Sequence, residues 1–99
     1  MNIVAVTACP TGIAHTYMAA EQLEKTAKAQ GHRIRVETQG AMGIENELSV
    51  KEIREADVAI FAVDIEVEKR ERFAGKKIVQ VPVKEAIKDA KAVLAKAGA

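Results

Sequence analysis

The only cysteine of this chain, Cys9, lies in a short segment that combines a nucleophile with two residues that bend the backbone. The segment reads ACPTGIAHT at residues 8–16, with Pro10 directly after the cysteine and Gly12 two positions further on. A single cysteine forms no internal disulfide, and it excludes both a CxxC redox motif and a zinc site built from cysteines. These residues therefore point to covalent chemistry at one thiol.

The segment after Cys9 also has the composition of an anion-binding loop. A sharp bend at Pro10 and Gly12 would let the N–H groups of the loop and of a following helix converge on one point. Such a nest, with the positive end of the helix dipole, binds anions and favours a thiolate. We therefore expect a nucleophile that attacks phosphorus and then holds a phosphoryl group. Further donors could come from the side chains of Thr11, His15 and Thr16.

Cys9, His15 and the other polar residues that could have a function also have a purely structural interpretation. A lone cysteine after a buried strand is commonly a small core residue. His15 could be a helix cap or a solvated side chain, and His32 precedes a strand that we expect at the surface. The run EVEKRER at residues 66–72, which contains Arg70 and Arg72, is typical of a solvated face. The bend beside Cys9, at a strand-to-helix junction, favours the functional interpretation.

Length, composition and charge limit the class of protein. Ninety-nine residues, 48% of them hydrophobic, predict a single domain over residues 1–99 whose core needs no disulfide or metal. The net charge of +1 argues against a dedicated nucleic-acid binder. No stretch has the form of a signal peptide or reaches the roughly 20 apolar residues of a membrane span. These features predict a soluble, intracellular protein.

Hydrophobic patterning predicts strands that alternate with helices. Residues 2–8 and 57–64 are apolar on both faces, as in parallel strands that are buried on both sides. Residues 33–38 alternate charged and apolar side chains, which predicts an edge strand, and residues 77–82 form a last apolar strand. Between the first two strands we expect a helix over residues 13–30, ended by Gly31. Residues 39–48 are expected to form a loop, followed by a short helix whose start is marked by a Ser49–Glu52 capping box. A polar helix or turn closed by Gly75 and a terminal helix over Val83–Lys96 complete the chain.

This alternation predicts an α/β fold with a four-stranded parallel sheet in the order 2-1-3-4, a flavodoxin- or Rossmann-like three-layer α/β/α sandwich. Ligands of such sheets bind beyond the carboxyl ends of the strands, where the winding direction switches. Here the switch lies between the first and third strands, so Cys9 is expected at the working edge. Gln39, Gly40 and Asp64, which ends the third strand, are expected to border the site.

Other chemistries fit the segment less well, although one remains a serious alternative. No GxGxxG or GxxxxGK[ST] motif follows the first strand, so dinucleotide or ATP binding is unsupported. Low-molecular-weight tyrosine phosphatases use C-x5-R-[ST] at a similar junction, whereas this chain reads C-x5-H-T with His15 at the arginine position. Histidine does not give the bidentate phosphate contact of arginine, and no Asp-Pro pair is present. A cysteine phosphatase therefore stays open as the alternative to a carrier that holds phosphate.

The segment CPTGIAHTYMAAEQL at residues 9–23 closely resembles the active-site signature of fructose-type IIB proteins of the bacterial phosphoenolpyruvate-dependent sugar phosphotransferase system. The resemblance continues through VETQGAMGIENEL at residues 36–48, through ADVAIFAVD at residues 56–64 and into RFAGKKI at residues 72–78. Only the terminal helix lacks specific residues.

The resemblance implies a phosphoryl carrier without a metal or organic cofactor. A IIA protein would donate phosphate from a phosphohistidine to Cys9, and a membrane IIC protein would present the sugar that accepts it. For fructose the implied product is fructose 1-phosphate, formed at the cytoplasmic face of the membrane. A regulatory IIB-like sensor of phosphorylation is a further alternative. The residues implied to cradle the phosphate are Pro10, Thr11, Gly12, Ile13, Ala14, His15 and Thr16.

A carrier of this kind needs an open surface around its nucleophile, because two different proteins must reach Cys9 in turn. We expect a modest, transient interface at the carboxyl ends of the strands, bordered by residues 39–48. Met18, which lies off the core face of its helix at the same end as Cys9, is a candidate contact residue.

Overall fold

The computed structural model describes residues 1–10 and 13–99, and of Ile13 only the backbone. The chain alternates strands and helices through most of its length, as predicted. In chain order the elements are β1 Asn2–Ala8, α1 Ile13–Ala29, β2 Arg33–Gly40, β3 Gly43–Glu45, α2 Val50–Glu55, β4 Val58–Val63, a 3-10 helix Arg70–Phe73, β5 Ile78–Val81, α3 Val83–Lys88 and α4 Ala90–Lys96.

The strands form one sheet in the order β3-β2-β1-β4-β5. β1 pairs in parallel with β2 on one side and with β4 on the other, and β5 is parallel to β4. The predicted α/β fold and the order of the four parallel strands are confirmed. The apolar strands β1 and β4 occupy the interior because both of their faces are buried.

The prediction of a four-stranded, purely parallel sheet is wrong, because the sheet has a fifth, antiparallel strand. Residues 39–48 were expected to form a loop, but Gly43–Glu45 pair with Thr38–Gly40 and make β3 the edge. Gly43 has a φ of 85°, a conformation that glycine adopts without strain. A strand of three residues is too short to show a hydrophobic pattern, so the sequence gives no sign of it.

Helices cover both faces of the sheet. α1, α3 and α4 bury an aliphatic core on one face, where Leu23, Ile60 and Leu94 are fully buried. The second core holds the two phenylalanines, Phe61 and Phe73, whose rings meet edge to face at a centroid distance of 4.8 Å. The 3-10 helix thus reaches the sheet through Phe73, which fixes the chain that follows β4.

Most of the predicted helix ends are confirmed. Ser49 and Glu52 form the capping box of α2, and Gly31 follows α1 with a φ of 81°. The single helix predicted over Val83–Lys96 is instead two helices that meet at Asp89. The Asp89 carboxylate accepts a hydrogen bond from the N–H of Ala92 at 3.1 Å, and therefore caps α4 rather than continuing α3.

Candidate functional site

A cavity of about 290 Å³ lies where β1, β2 and β4 end. Parallel strands bring their carboxyl ends to one edge, so residues that are far apart in sequence meet there. β1 contributes the residues after Ala8, β2 contributes its last two residues, and the chain after β4 contributes a loop. The lining residues are Cys9, Pro10, Gln39, Gly40, Ala41, Ile65, Glu66 and Glu68.

Cys9 is a boundary residue between this cavity and the core. It is 7% exposed and belongs to the apolar cluster beneath α1, yet it also lines the cavity. The cysteine is therefore at once a member of the core and part of the cavity wall. A reactant that enters the cavity meets this thiol, whereas most of the side chain is shielded from bulk solvent.

The loop that was expected to bind phosphate is described only in part. Thr11 and Gly12 lie outside the described residues, as does the side chain of Ile13, so the converging N–H groups stay a prediction. Ala14 and His15 are exposed in the first turn of α1. An exposed imidazole at this position is able to meet a docked partner.

Thr16 is a buried polar residue beside the cavity wall. It is 1% exposed, and no residue within 1–10 or 13–99 provides a hydrogen-bond partner for its Oγ1. A β-carbon placed on Gly40, a cavity residue, would lie 3.8 Å from this oxygen. The Thr16 carbonyl accepts a hydrogen bond from the hydroxyl of Thr7 at 3.1 Å, which ties the start of α1 to β1.

The three expected border residues fall into two groups. Gln39 and Gly40 line the cavity with Cys9. Asp64 is exposed, does not line the cavity, and accepts a hydrogen bond from the N–H of Val83 at 3.2 Å. The structure thus places Asp64 at the start of α3, where a carboxylate stabilises the positive end of the helix.

A buried ion pair that the sequence did not reveal stands behind Gln39. Arg72 was expected on a solvated face, but its side chain is only 8% exposed, so this expectation is wrong. Its Nη1 and Nη2 donate to the two carboxylate oxygens of Glu37, at 2.7 and 3.0 Å, and the Glu37 side chain is fully buried. The pair links β2 to the 3-10 helix across 35 residues of sequence.

Gln39 connects this ion pair to the cavity. Its Nε2 donates to Glu37 Oε2 at 2.6 Å and to the carbonyl of Glu68 at 3.1 Å. Its Oε1 accepts a hydrogen bond from the N–H of Glu68 at 2.8 Å. Since Gln39 and Glu68 both line the cavity, one carboxamide fixes two parts of its wall.

The ion pair remains charged in the folded protein. Burial on its own would raise the pKa of Glu37, but hydrogen bonds from Arg72, from the N–H of Leu48 and from Gln39, with the positive charge of Arg72, together lower this pKa below its usual range. The hydrogen bond to Glu37 in turn raises the pKa of Arg72.

Exposed apolar side chains lie close to the cavity. Ile65 lines it and is 42% exposed, and Met42, at 69%, directly follows the cavity residue Ala41. Met18 is also exposed, in the first half of α1. Beside it, the hydroxyl of Tyr17 donates to the carboxylate of Glu45, which joins α1 to β3 and raises the pKa of the phenol. We call Met42 and Ile65 the apolar rim.

Within residues 1–10 and 13–99, no three histidine, cysteine or carboxylate side chains are grouped as metal ligands would be. None of the helices in the same part of the chain has the length and apolar character needed to cross a membrane.

Comparisons with known proteins give a consistent family. The family model described as the lactose/cellobiose-specific IIB subunit of the phosphotransferase system matches residues 4–96. The chain is 54% identical to the fructose-like EIIB component 2 of the phosphotransferase system of Escherichia coli K12 over 95 residues, which are 96% of this chain and 90% of that protein. It is 51% identical to the fructose-specific EIIB'BC component of Rhodobacter capsulatus, over 95% of this chain and 16% of that longer protein.

A solved structure shares both the sequence and the fold. The crystal structure of a domain of the fructose-specific IIABC component from Borrelia burgdorferi superposes with a TM-score of 0.91 at 49% identity, over 96% of this chain and 90% of that one. Because the family model spans nearly the whole chain and these relatives share about half of its residues, the chain belongs to the IIB family of the sugar phosphotransferase system, with relatives of the fructose type.

Proposed function

We propose that this chain is a phosphoryl carrier that accepts phosphate on Cys9 and passes it to a sugar. The observation that carries the proposal is the position of Cys9, which lines the cavity at the carboxyl ends of the parallel strands in a chain of the IIB family. The donor is a IIA protein with a phosphohistidine. The acceptor is a sugar held by a membrane IIC protein, a partner that the EIIB'BC name of a relative supports.

The proposed reaction is two successive displacements at phosphorus. The Cys9 thiolate attacks the phosphoryl group of the donor, so that an S–P bond forms as the N–P bond breaks and the histidine ring is released. A sugar hydroxyl then attacks the phosphocysteine, an O–P bond forms as the S–P bond breaks, and the hydroxyl proton passes to a base. For fructose the product is fructose 1-phosphate, released on the cytoplasmic side.

In such transfers the protein acts mainly by positioning and by stabilising charge. We assign the phosphate cradle to the backbone and side chains that follow Cys9, with Pro10 at the cavity and the first turn of α1 behind it. His15 stands at the arginine position of the phosphatase pattern, which favours retention of the phosphoryl group over rapid hydrolysis. The cradle comprises Pro10, Thr11, Gly12, Ile13, Ala14, His15 and Thr16, with Gln39 and Gly40 at its border.

Phosphorylation by a labelled donor tests this function. When the chain is mixed with phosphorylated IIA protein, we expect one phosphoryl group per chain by intact mass, and none in Cys9→Ser. The exposed Ser49→Ala variant is the matched control and should label fully. Addition of membranes that contain IIC and fructose should move the label to the sugar.

Two other outcomes of this experiment would support the alternative functions, a cysteine phosphatase and a regulatory sensor of phosphorylation. Steady release of inorganic phosphate without labelled protein would indicate a phosphatase. Labelling of Cys9 that never reaches a sugar in the presence of IIC would indicate a regulatory sensor.

A further inference from the structure

The network around Arg72 joins three separate segments of chain behind the cavity. Besides its two bonds to Glu37, Arg72 donates from Nε to the carbonyl of Lys69 at 2.8 Å, from Nη1 to that of Leu48 at 2.8 Å and from Nη2 to that of Glu68 at 3.2 Å. These five bonds account for all five N–H donors of a guanidinium group. β2, the chain before α2 and the chain after β4 are thus held in one fixed arrangement.

Stability alone gives a weak reason for such a network. A buried ion pair costs desolvation that its attraction repays only with good geometry, and apolar residues of similar volume often stabilise a protein as well. What an ion pair adds is direction, because a bidentate pair permits one orientation of both side chains. Here the oriented carboxylate of Glu37 accepts from Gln39 Nε2, and this bond sets which way the Gln39 carboxamide faces.

The oriented carboxamide then sets the wall of the cavity. Gln39 is 4% exposed, and its carboxamide bonds to both the N–H and the carbonyl of Glu68, as a residue of a neighbouring strand would. We call this pair of hydrogen bonds the Gln39–Glu68 rung. Between Asp64 and Glu68 the chain carries Ile65 and Glu66, which line the same cavity as Cys9. Loss of the two bonds of this rung would loosen the segment that lines the cavity opposite the thiol, although the Arg72 bond to the Glu68 carbonyl and the buried Val67 still hold it in part.

We propose that Glu37, Arg72 and Gln39 are positioning residues for the Cys9 site. The ion pair orients Gln39, and Gln39 holds the 65–68 segment at the distance from Cys9 that lets a phosphoryl donor or acceptor align with the sulfur. This proposal rests on the proposed carrier function. Since a misplacement of about 1 Å can slow a transfer about a hundredfold, a loosened wall should impair transfer in a protein that is still folded.

The main test uses Gln39→Glu, which keeps the size of the side chain and replaces its donor group by a carboxylate. At pH 7.5 the new carboxylate would oppose Glu37 and the Glu68 carbonyl, so both bonds that Nε2 donates are lost, while the N–H of Glu68 still has an acceptor at position 39. We expect the rate of Cys9 phosphorylation at saturating donor to fall about tenfold to hundredfold. Circular dichroism and thermal unfolding confirm that the variant is folded at the assay temperature.

Lower pH provides a readout that a general loss of stability would not give. Two carboxyl groups that share a site retain a proton more strongly than one, and a protonated group at position 39 can again donate to Glu37 or to Glu68. The transfer rate of Gln39→Glu, divided by that of the unaltered protein at each pH, should therefore rise as the pH falls from 7.5 to 5.5. Groups that also face this position are Arg72 in the network and Cys9, Glu66 and Glu68 around the cavity, and the division removes their common effect.

Gln39→Leu and Arg72→Lys complete the series. The leucine variant cannot recover at low pH, and the lysine variant keeps the charge but loses the bidentate geometry. Arg70→Lys is the matched control, because Arg70 lies on the same 3-10 helix, is exposed and lies over the Phe61 ring instead of contacting Glu37. Arg70→Lys should accept phosphate at the rate of the unaltered protein. Gln39→Leu and Arg72→Lys should accept it slowly at every pH.

Alkylation of Cys9 by iodoacetamide tests the wall without any phosphoryl donor. Cys9 is 7% exposed, so a loosened 65–68 segment should make alkylation several-fold faster in Gln39→Glu and Gln39→Leu than in Arg70→Lys. Failure of the unaltered chain to accept phosphate would overturn the carrier function alone. The alkylation rates would then still test whether Gln39 holds residues 65–68 over Cys9. Folded Gln39 variants with unaltered transfer and alkylation rates, or losses that match the unfolded fraction, would overturn the positioning role.

Discussion

At the scale of single residues, we expect the largest effects on folding stability from the two charged side chains buried behind the cavity, Glu37 and Arg72. Glu37 is fully buried, and every oxygen of its carboxylate accepts at least one hydrogen bond. Arg72 is equally well satisfied. Removal of one partner leaves the other charge buried without compensation, which is far more costly than loss of an exposed ion pair such as Arg35–Glu52.

Glu37→Gln should lower the free energy of unfolding by about 3 to 5 kcal/mol at pH 7, measured by urea denaturation. Glu21→Gln, a change of an exposed carboxylate on α1, should stay within about 0.5 kcal/mol of the unaltered protein. An effect of Glu37→Gln no larger than that of the control would contradict the energetic role of the ion pair.

The same variant carries a pH signature. Because the pKa of Glu37 is lowered in the folded state, its contribution to stability is present above the ordinary carboxyl pKa of 4.5 and is lost as the pH falls through the lower folded value. The difference in unfolding free energy between the unaltered protein and Glu37→Gln should therefore shrink at pH values below 4.5. A difference that stays constant down to acid unfolding would mean that the Glu37 pKa is not lowered.

At the scale of elements, the hairpin from β2 to β3 determines which neighbours β2 has near the cavity. The antiparallel pairing of Gly43–Glu45 covers the end of β2, and the hydroxyl of Tyr17 reaches Glu45 from α1. β2 therefore has neighbours on both sides near the cavity, and Thr38 and Gln39, which precede its last residue, are buried. The turn that makes this possible contains one residue, Gly43, with a left-handed φ.

Gly43→Ala should cost about 1 to 2 kcal/mol of unfolding free energy through backbone strain alone, since a β-carbon there meets no atom of residues 1–10 or 13–99 within 4 Å. Gly40→Ala is the matched change on the other side of the turn. Its φ is not left-handed, and among the described residues its β-carbon meets only Thr16 Oγ1, at an ordinary 3.8 Å, so its cost should be smaller. Equal losses in both variants, measured by thermal unfolding, would show that the turn is not the source of the strain.

At the scale of the whole molecule, the cavity and several exposed side chains lie at one edge of the sheet. The cavity, the exposed His15 and the apolar rim all follow the carboxyl ends of parallel strands or begin α1. Two separate apolar cores hold the opposite faces of the sheet. A carrier that meets two proteins in turn needs such an edge to bind each of them weakly.

Met42→Glu should raise the KM for the phosphorylated IIA donor about fivefold or more and leave kcat and thermal stability nearly unchanged, because an exposed apolar side chain that contacts the donor contributes to binding and not to the chemical step. Val50→Glu is the control, since Val50 is 45% exposed on α2 and lines a different cavity. An equal effect of the two variants on KM would place the donor elsewhere on the surface.

The sequence by itself determined the elements whose signals are local. The two-sided apolar runs of β1 and β4, the period of α1 with Gly31 at its end and the Ser49 capping box each lie within a few residues of chain, and all are confirmed. The order of the parallel strands followed from them, because buried strands must lie inside an alternating sheet. The signature around Cys9 likewise identified the family before any coordinates.

Only the tertiary structure decided the features that depend on distant partners or on weak local preferences. β3 is too short to show a pattern, and Asp89 interrupts a helical period because its carboxylate caps α4. Arg72 belongs to a run of charges that predicts a solvated face, and its burial depends on Glu37, 35 residues earlier in the chain. An ion pair becomes favourable only when folding brings both charges together and removes water from around them, so no property of either segment alone reveals it.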